Sequence, residues 1–238
     1  MFHFTTKSTA LALILVTTLT ASTALAETQS FDLSGFEGVS AAEGIRVQVL
    51  MGPTFEVIAE NEDDRQLEYL SIDVTRGVLV VEMKNGLLAP NWVTGDKVEV
   101  RVVMPALVQT EAHSGARIGA EMMSGSDLDV TASSGASLVI DAVEAGAMHV
   151  DVASGATIEI TNGSCASLSA EVSGGSFLDM ENIICDDVNI DASSGSTASV
   201  HTEKSVDANA SSGANIRVYG APTETRTNTA GGGIVVMR

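Results

Sequence analysis

The chain is poor in aromatic and in basic residues. Aromatic side chains make up 4% of its 238 residues, and a single tryptophan is among them. Only 12 basic residues stand against 31 acidic ones, so the formal net charge at pH 7 is −19. Such a charge argues against nucleic acid or an anionic membrane surface as a partner. The scarcity of aromatics, together with 22 glycines, favours a solenoid over an enzyme with a deep pocket.

The chain also lacks the sequence motifs of common catalytic and cofactor sites. It contains no nucleophile elbow, no phosphate-binding loop and no paired Cys-x-x-Cys motif. His113, His149 and His201 fall in different predicted strands, without the spacing of a zinc site. The nonapeptide repeat of calcium-binding β-rolls is missing as well. We therefore predict no catalytic residues and no cofactor, and leave Ca²⁺ between neighbouring carboxylates open.

Long hydrophobic runs are absent too, and the longest apolar stretch lies at the N-terminus. Lys7, the apolar residues 10–16 and the triplet Ala24-Leu25-Ala26 have the features of a secretory signal peptide. The apolar stretch is too short and too rich in threonine to span a membrane, and no later segment is apolar enough to do so. We expect residues 1–26 to be a signal peptide and the remainder to be exported, to the periplasm or outside the cell.

A block of about 20 residues recurs through the C-terminal half. Each copy carries a two-residue corner, Ser-Gly or once Gly-Gly. The second residues of these corners are Gly115, Gly135, Gly155, Gly175, Gly195 and Gly213. Fixed periods of this length are typical of solenoids. Glycine permits the positive φ that a sharp corner can require, so we interpret these residues as structural.

Strands with alternating apolar and polar residues flank every corner, which is the pattern of half-buried β-strands. This pattern predicts an all-β parallel β-helix with regular rungs over residues 106–238. Residues 27–105 are rich in predicted strands but lack the period, so we expect less regular coils that begin the same solenoid and cap it. One continuous domain over 27–238 is the main interpretation, and a separate small β-domain at the N-terminal end is the alternative.

The two cysteines, Cys165 and Cys185, are one repeat apart. Neighbouring strands of a parallel sheet lie about 4.8 Å apart, and a disulfide needs Cα atoms roughly 4.4–6.8 Å apart. In an oxidising compartment the pair can therefore join adjacent rungs. Two free thiols at equivalent repeat positions are the alternative.

Several short motifs occur in a fixed order before and within the repeat. They are Phe36-Glu37-Gly38-Val39, Gly44-Ile45-Arg46-Val47-Gln48-Val49 with Gly52, Gly77-Val78-Leu79-Val80-Val81, residues 98–102, Met104-Pro105-Ala106-Leu107 and the Ser-Gly corners. In this order they resemble the auto-transporter adhesin head GIN domain family over nearly all of residues 31–238. Arg46 departs from the family motif, which has Asn there. The resemblance implies a right-handed parallel β-helix on an exported bacterial protein; it suggests adhesion and supplies no catalytic residues.

A column of acidic residues is the strongest candidate for a binding or catalytic site. Asp151, Glu171 and Asp191 occupy equivalent outward positions of successive repeats, and Asp129 and Asp207 belong to a parallel column two residues away. Carboxylates on adjacent strands would have backbones about 5 Å apart, close to the carboxyl separation of about 5–5.5 Å in retaining glycosidases. The simpler interpretation is that a repeat places like residues in register, and that acidic side chains on a solvated face limit edge association.

A second candidate is the loop over residues 85–96, which contains Trp92. Exposed aromatic and aliphatic side chains on a loop can bind sugar or protein. Such a loop more often folds back to cover an open end of the core.

The repeat predicts a protein that presents a long, flat and repetitive surface. We expect an exported, non-enzymatic β-solenoid, adhesin-like or structural, whose partner is a polysaccharide or protein of the cell envelope. The alternative is a carbohydrate-active enzyme, either a polysaccharide lyase or a glycosidase, that acts through the acidic column.

Overall fold

The structure of the protein is a computed structural model that describes residues 27–61, 64–84 and 95–238. The predicted signal peptide and Trp92 lie outside the described residues. Within them the regular secondary structure is strand, apart from one short α-helix, α1 (Asp64–Leu67), and one 3-10 turn (Gly95–Lys97). Neither helix of this part of the chain has the length and apolar character needed to span a membrane. The predicted all-β solenoid is confirmed.

The strands of the described residues are numbered along the chain. They are β1 (Glu27–Phe31), β2 (Gly38–Ala41), β3 (Arg46–Met51), β4 (Glu56–Asn61), β5 (Leu70–Thr75), β6 (Val78–Met83), β7 (Glu99–Met104), β8 (Gln109–Ala112), β9 (Arg117–Ala120), β10 (Met123–Ala132), β11 (Ser137–Ile140), β12 (Val143–Val152), β13 (Thr157–Ile160), β14 (Gly163–Val172), β15 (Phe177–Ala192), β16 (Thr197–Ala210), β17 (Asn215–Tyr219), β18 (Glu224–Thr229) and β19 (Ile234–Met237).

One turn of the solenoid, here called a rung, consists of a long strand, a corner and a short strand. The long strand β10 pairs in parallel with β12, with Leu128 opposite Met148, and the short strand β11 pairs with β13, with Leu138 opposite Ile158. In both pairs the partners are 20 residues apart along the chain, which equals the period of the sequence repeat. The ladder between β10 and β12 skips Ser126, so the long strand is divided there into two segments.

The core consists of aliphatic columns that run along the solenoid axis. Alternation along each strand turns every second side chain inward. One such column contains Leu138, Ile158, Leu178, Ala198 and Ile216, and none of these residues has solvent-accessible surface. Complete burial of a leucine or isoleucine side chain contributes roughly 1.5–3 kcal/mol. One rung cannot bury its own column, so the stability of each rung depends on its neighbours.

Both residues of each corner have left-handed backbone conformations. Ser134 has φ 55° and Gly135 has φ 72°, and the other corners of the repeat have the same pair, with Gly174 in place of serine at one of them. The amide of Ala136 donates to the carbonyl of Ser133 across the corner, at 3.2 Å. The amide of Gly135 donates to the carbonyl of Ser154 on the next rung, at 3.1 Å. The corner is thus bonded both within and between rungs.

Cys165 and Cys185 form the predicted disulfide. They are register partners on β14 and β15, and their Cα atoms lie 4.5 Å apart. The bridge therefore joins adjacent rungs in the middle of the regular part.

The N-terminal strands stack in an order that differs from their order along the chain. β2 pairs in parallel with both β6 and β8, and β3 pairs in parallel with both β7 and β9. The rung made of β2 and β3 thus lies between the later strands β6 and β7 and the regular rungs. Its corner, Glu43-Gly44, repeats the left-handed pair with φ 61° and 81°. Beyond it, β5 pairs antiparallel with β6, β4 with β7, and β1 with β4.

The last rung ends the solenoid without a cover in the described residues. β18 pairs with β16, and β19 pairs with β17 after a corner at Gly231 and Gly232, with φ 53° and 82°. The inward residues of β19 are Val235, which packs against the core, and Met237, which is 42% exposed because no further described rung stacks on it. Ile234, 51% exposed, is at the outward position that Asn215 has in the preceding rung.

The corner geometry predicts the effect of Gly135→Ala. A Cβ at this position meets no atom within 4 Å, so the cost comes from the left-handed backbone alone. We expect a loss of about 1–2 kcal/mol in the free energy of unfolding, measured by urea denaturation. The control is Ser134→Ala, which exchanges one side chain in the left-handed region for another and should change stability by less than about 0.5 kcal/mol. Equal effects of the two substitutions would contradict this account.

The disulfide predicts a second effect on stability. Replacing both cysteines by alanine should lower the free energy of unfolding by about 3 kcal/mol, since the bridge closes a loop in the unfolded chain between positions with a sequence separation of 20. Urea denaturation with and without reductant measures this. Reductant should shift the midpoint of the natural protein towards that of the double variant and leave the variant unchanged. A reductant shift of similar size in the double variant would show that the bridge is not its cause.

Candidate functional site

The outward side chains of the long strands form one continuous face, here called the long-strand face. Register pairing arranges them in three columns along the solenoid axis. Column A is Asp127, Ala147, Ser167, Asp187, Ser205 and Glu224; column B is Asp129, His149, Ser169, Asn189, Asp207 and Arg226; column C is Thr131, Asp151, Glu171, Asp191, Asn209 and Asn228. Parallel pairing spaces the members of a column about 4.8 Å apart along the axis.

The structure brings three of the predicted acidic residues together. Asp151, Glu171 and Asp191 are direct register partners on adjacent strands and point outward in column C. Asp129 and Asp207 share column B but are separated by His149, Ser169 and Asn189, so they are not neighbours. The acidic column is therefore a run of three carboxylates.

A groove of about 550 Å³ runs along the axis between columns A and B. It extends from His149 to Arg226, and Leu168, Val188 and Val206 are among its lining residues. The other lining groups are mostly hydroxyls, carboxylates, an amide, an imidazole and a guanidinium. Hydrogen-bonding groups thus border the groove over several rungs.

Contacts between rungs hold several of these side chains in place. The Ser205 hydroxyl donates to Asp187 at 2.6 Å, and the Arg226 guanidinium lies 3.3 Å from Asp207. The imidazole of His149 lies 3.6 Å from the carboxylate of Asp127, with both side chains more than half exposed. Exposed pairs of this kind contribute little to stability, roughly 0–1 kcal/mol, and their partners remain accessible to a ligand.

A smaller depression of about 160 Å³ borders the acidic column on the corner side. Its lining includes Glu171 and Asp191 together with Ser173 and Ser193 near the corners. The carboxylates of column C are therefore flanked by hydroxyl groups on the corner side.

Two ionisable groups in β16 and β17 have shifted pKa values. The hydrogen bond from Lys204 to Asp186, 2.6 Å long, raises the pKa of the Lys204 ammonium. A hydrogen bond with Glu181 raises the pKa of the Tyr219 hydroxyl. Both shifts move the groups further from neutral pH, so Lys204 stays cationic and Tyr219 stays neutral.

The long-strand face presents polar side chains on successive rungs. Within residues 27–61, 64–84 and 95–238, no three His, Cys, Asp or Glu side chains come close enough to hold a metal ion. The long-strand face instead repeats donors and acceptors from rung to rung at a constant spacing. Such a face is suited to a ligand that is itself extended and repetitive.

The fold and this face can now be compared with known proteins. The model of the family described as "putative auto-transporter adhesin, head GIN domain" matches residues 35–222. The chain belongs to this family. Arg46, the departure from the family motif, has an exposed side chain, so the exchange leaves the core unchanged.

Solved structures with a similar fold come from Bacteroides and Parabacteroides species. A putative adhesin from Bacteroides fragilis has a TM-score of 0.79 at 12% identity, with 91% of this chain and 98% of that chain covered. A putative adhesin from Parabacteroides merdae has a TM-score of 0.70 at 16% identity, with 90% and 96% covered. A putative lipid binding protein from Parabacteroides distasonis has a TM-score of 0.69 at 13% identity, with 90% and 96% covered. At such identities the likeness shows the fold alone. No curated protein matches the chain.

Some residues of the long-strand face were not predicted from the sequence. Arg226 and Glu224 belong to the last rung. Their register partners, Asp207 and Ser205, lie 19 residues earlier in the chain, so a strict 20-residue period does not align them. Asp187 and Ser205 could have been found, because column A has the same spacing as the columns that were recognised.

Proposed function

We propose that this adhesin-like β-solenoid is an exported, non-enzymatic protein that binds an extended polymer of the cell envelope along its long-strand face. The polymer is a polysaccharide or a protein in extended conformation. The observation that carries the proposal is the long-strand face, where the groove between columns A and B and the acidic column C beside it offer hydrogen-bonding side chains on successive rungs.

The electrostatics of the face narrow the class of ligand. Carboxylates outnumber basic side chains in all three columns taken together, and Arg226, the one guanidinium there, lies against Asp207. A cationic polymer therefore meets an attractive face and a neutral polymer meets no charge repulsion, whereas a polyanion meets repulsion from column C. Family membership supports adhesion as the purpose of the binding. The predicted signal peptide supports export.

The acidic column tests the binding proposal. Changing Asp151→Asn, Glu171→Gln and Asp191→Asn together should weaken binding at least about tenfold, since charged hydrogen-bond acceptors are lost on three rungs. Binding is measured by co-sedimentation with cellulose, chitin and peptidoglycan, with and without Ca²⁺. All three residues are outward, so the unfolding midpoint should remain close to that of the natural protein.

The matched control changes the same number of charges outside columns A, B and C. Asp141→Asn and Glu159→Gln affect exposed carboxylates that lie outside the long strands. Glu144→Gln affects an exposed carboxylate in the first segment of β12, before the break in its ladder with β10. The control should bind like the natural protein. Binding that is unaffected by the first triple variant, or equally affected by both, would remove the acidic column from the proposal.

A carbohydrate-active enzyme is the second candidate, and the register of Asp151, Glu171 and Asp191 favours it. Adjacent carboxylates can act as acid and nucleophile in glycosidases. This candidate predicts the release of small sugars from the same polysaccharides, abolished by Asp151→Asn or Asp191→Asn alone. Saturable binding without any product would favour the adhesin, and cleavage that depends on these carboxylates would favour the enzyme.

A further inference from the structure

Three arginines lie close together on the outward side of β3, β7 and β9, near the N-terminal end of the solenoid. β3 pairs in parallel with both β7 and β9, so the three strands are neighbours although they are distant along the chain. Arg46 on β3, Arg101 on β7 and Arg117 on β9 have exposed side chains, and the residues that alternate with them are buried valines and isoleucine. The cluster therefore arises from the stacking order and not from the sequence repeat.

The register of the strands fixes how these side chains are arranged. Arg46 lies directly opposite Arg117, and parallel pairing sets such partners about 4.8 Å apart. Arg101 lies opposite Gln48, which is two residues along β3 from Arg46, so Arg101 is a diagonal neighbour of Arg46. Arg46, Arg101 and Arg117 are here called the basic patch.

The basic patch has no partner within the described chain. No hydrogen bond or ion pair among these residues involves any of its three guanidinium groups. Glu99 is the second register partner of Arg46, yet the two side chains do not form an ion pair. Lys204, by contrast, is paired with Asp186. Like charges at directly opposite positions destabilise a sheet, so the pairing of Arg46 with Arg117 contributes nothing to the fold.

Gln48 adds an amide group to the patch. Its register partner Gly119 has no side chain, and the Gln48 amide lies over the glycine: a Cβ at position 119 would be 2.6 Å from Gln48 Oε1 and 3.5 Å from Nε2. Each guanidinium offers five donors and no acceptor, and the amide offers two more donors. A surface so rich in donors suits an oxyanion, which guanidinium groups bind through paired hydrogen bonds.

The charge of the basic patch contrasts with that of the rest of the protein. The chain has 12 basic residues and a net charge of −19, and residues 118–203 contain no lysine or arginine at all. The outward positions of the next short strand are the uncharged Ser137 and Val139. Glu99 borders the patch on one side and Glu121 on the other. Positive potential is thus confined to a small area of an acidic surface.

This confinement favours a thin anionic chain over a broad anionic surface. A membrane or a nucleic acid duplex would bring its charge against the acidic residues around the patch as well as against the patch itself. A single polysaccharide chain contacts only a narrow strip of protein. Its acidic groups can reach the guanidinium groups without approaching the carboxylates on either side.

We propose that the basic patch is a second binding site, which takes the oxyanion groups of an acidic polysaccharide. It lies on the short strands and is separate from the long-strand face. The two sites differ in the charge that they accept, because column C repels polyanions and the basic patch attracts them. The second site does not depend on the function proposed above.

Neutralising the patch tests this site. Fluorescently labelled oligosaccharides of alginate, which carries carboxylates, and of dextran sulfate, which carries sulfates, are titrated with the protein and followed by fluorescence anisotropy. The natural protein should bind at least one of them at an ionic strength of about 0.01 M and more weakly at about 0.15 M, and it should not bind labelled neutral dextran. Arg46→Gln, Arg101→Gln and Arg117→Gln together should weaken binding at least about tenfold.

The matched control removes the same number of positive charges elsewhere. Arg76→Gln, Lys84→Gln and Arg238→Gln affect exposed side chains outside the patch. This control should bind within about threefold of the natural protein. The unfolding midpoint of the patch variant in urea should equal or exceed that of the natural protein, because a contact between like charges is removed. A lower midpoint would indicate a structural role for the arginines.

Three results would overturn the proposal. The first is a natural protein that binds neither acidic oligosaccharide at low ionic strength. The second is equal loss of binding in the patch variant and its control, which would reflect net charge alone. The third is binding to vesicles of phosphatidylcholine and phosphatidylglycerol, lost in the patch variant, without binding to either oligosaccharide, which would indicate a membrane partner.

The acidic column separates this site from the long-strand face. The variant with Asp151→Asn, Glu171→Gln and Asp191→Asn should bind the acidic oligosaccharides at least as tightly as the natural protein, since negative charge is removed and the patch is unchanged. Weaker binding by this variant would show that the acidic oligosaccharides occupy the long-strand face, which would overturn the assignment to the basic patch.

Discussion

Parallel stacking in register is the constraint on which the rest of this structure depends. Each strand of the regular part lies beside its own equivalent in the next rung, so a residue type chosen once is repeated in space about every 4.8 Å. The consequence differs for the two sides of a strand. Inward positions must be aliphatic and small enough for a narrow core, whereas outward positions form columns whose chemistry is free to vary. A shift of one residue would exchange the two sides, which is why the corners and the disulfide matter for register.

The corners fix this register locally. Two successive left-handed residues reverse the chain within a short span, and the hydrogen bond from Gly135 to Ser154 links one corner to the next. Serine carries the left-handed conformation at a cost of roughly 1–2 kcal/mol relative to glycine. The fold tolerates this cost at five Ser-Gly corners because hydrogen bonds between successive corners fix the backbone there. Glu43-Gly44 lies outside the sequence repeat and has the same geometry. This corner conformation is therefore a feature of the solenoid fold and does not require the repeated sequence.

The period of the sequence predicted the regular part and its columns but not the two ends. Equal spacing was enough to predict the core column through Leu138, the bridge between Cys165 and Cys185, and the position of Asp151 beside Glu171. The N-terminal order was not predictable in this way, since β2 pairs with β6 and β8, both distant along the chain, and no repeat marks these partners. The shorter register offset of the last rung likewise concealed Arg226. The left-handed φ of the corner serines was missed because serine seldom adopts it.

A solenoid leaves two kinds of surface for function, side-chain columns along its length and backbone edges at its ends. The last rung differs from the others in a way that bears on the second kind. Where the long strands from β10 to β16 place apolar residues inward, β18 places Thr225, Thr227 and Thr229. Threonine keeps the β-branched shape that suits a strand, and its hydroxyl reduces the cost of contact with water. An end built in this way tolerates contact with water where a rung of valine and alanine would expose apolar surface.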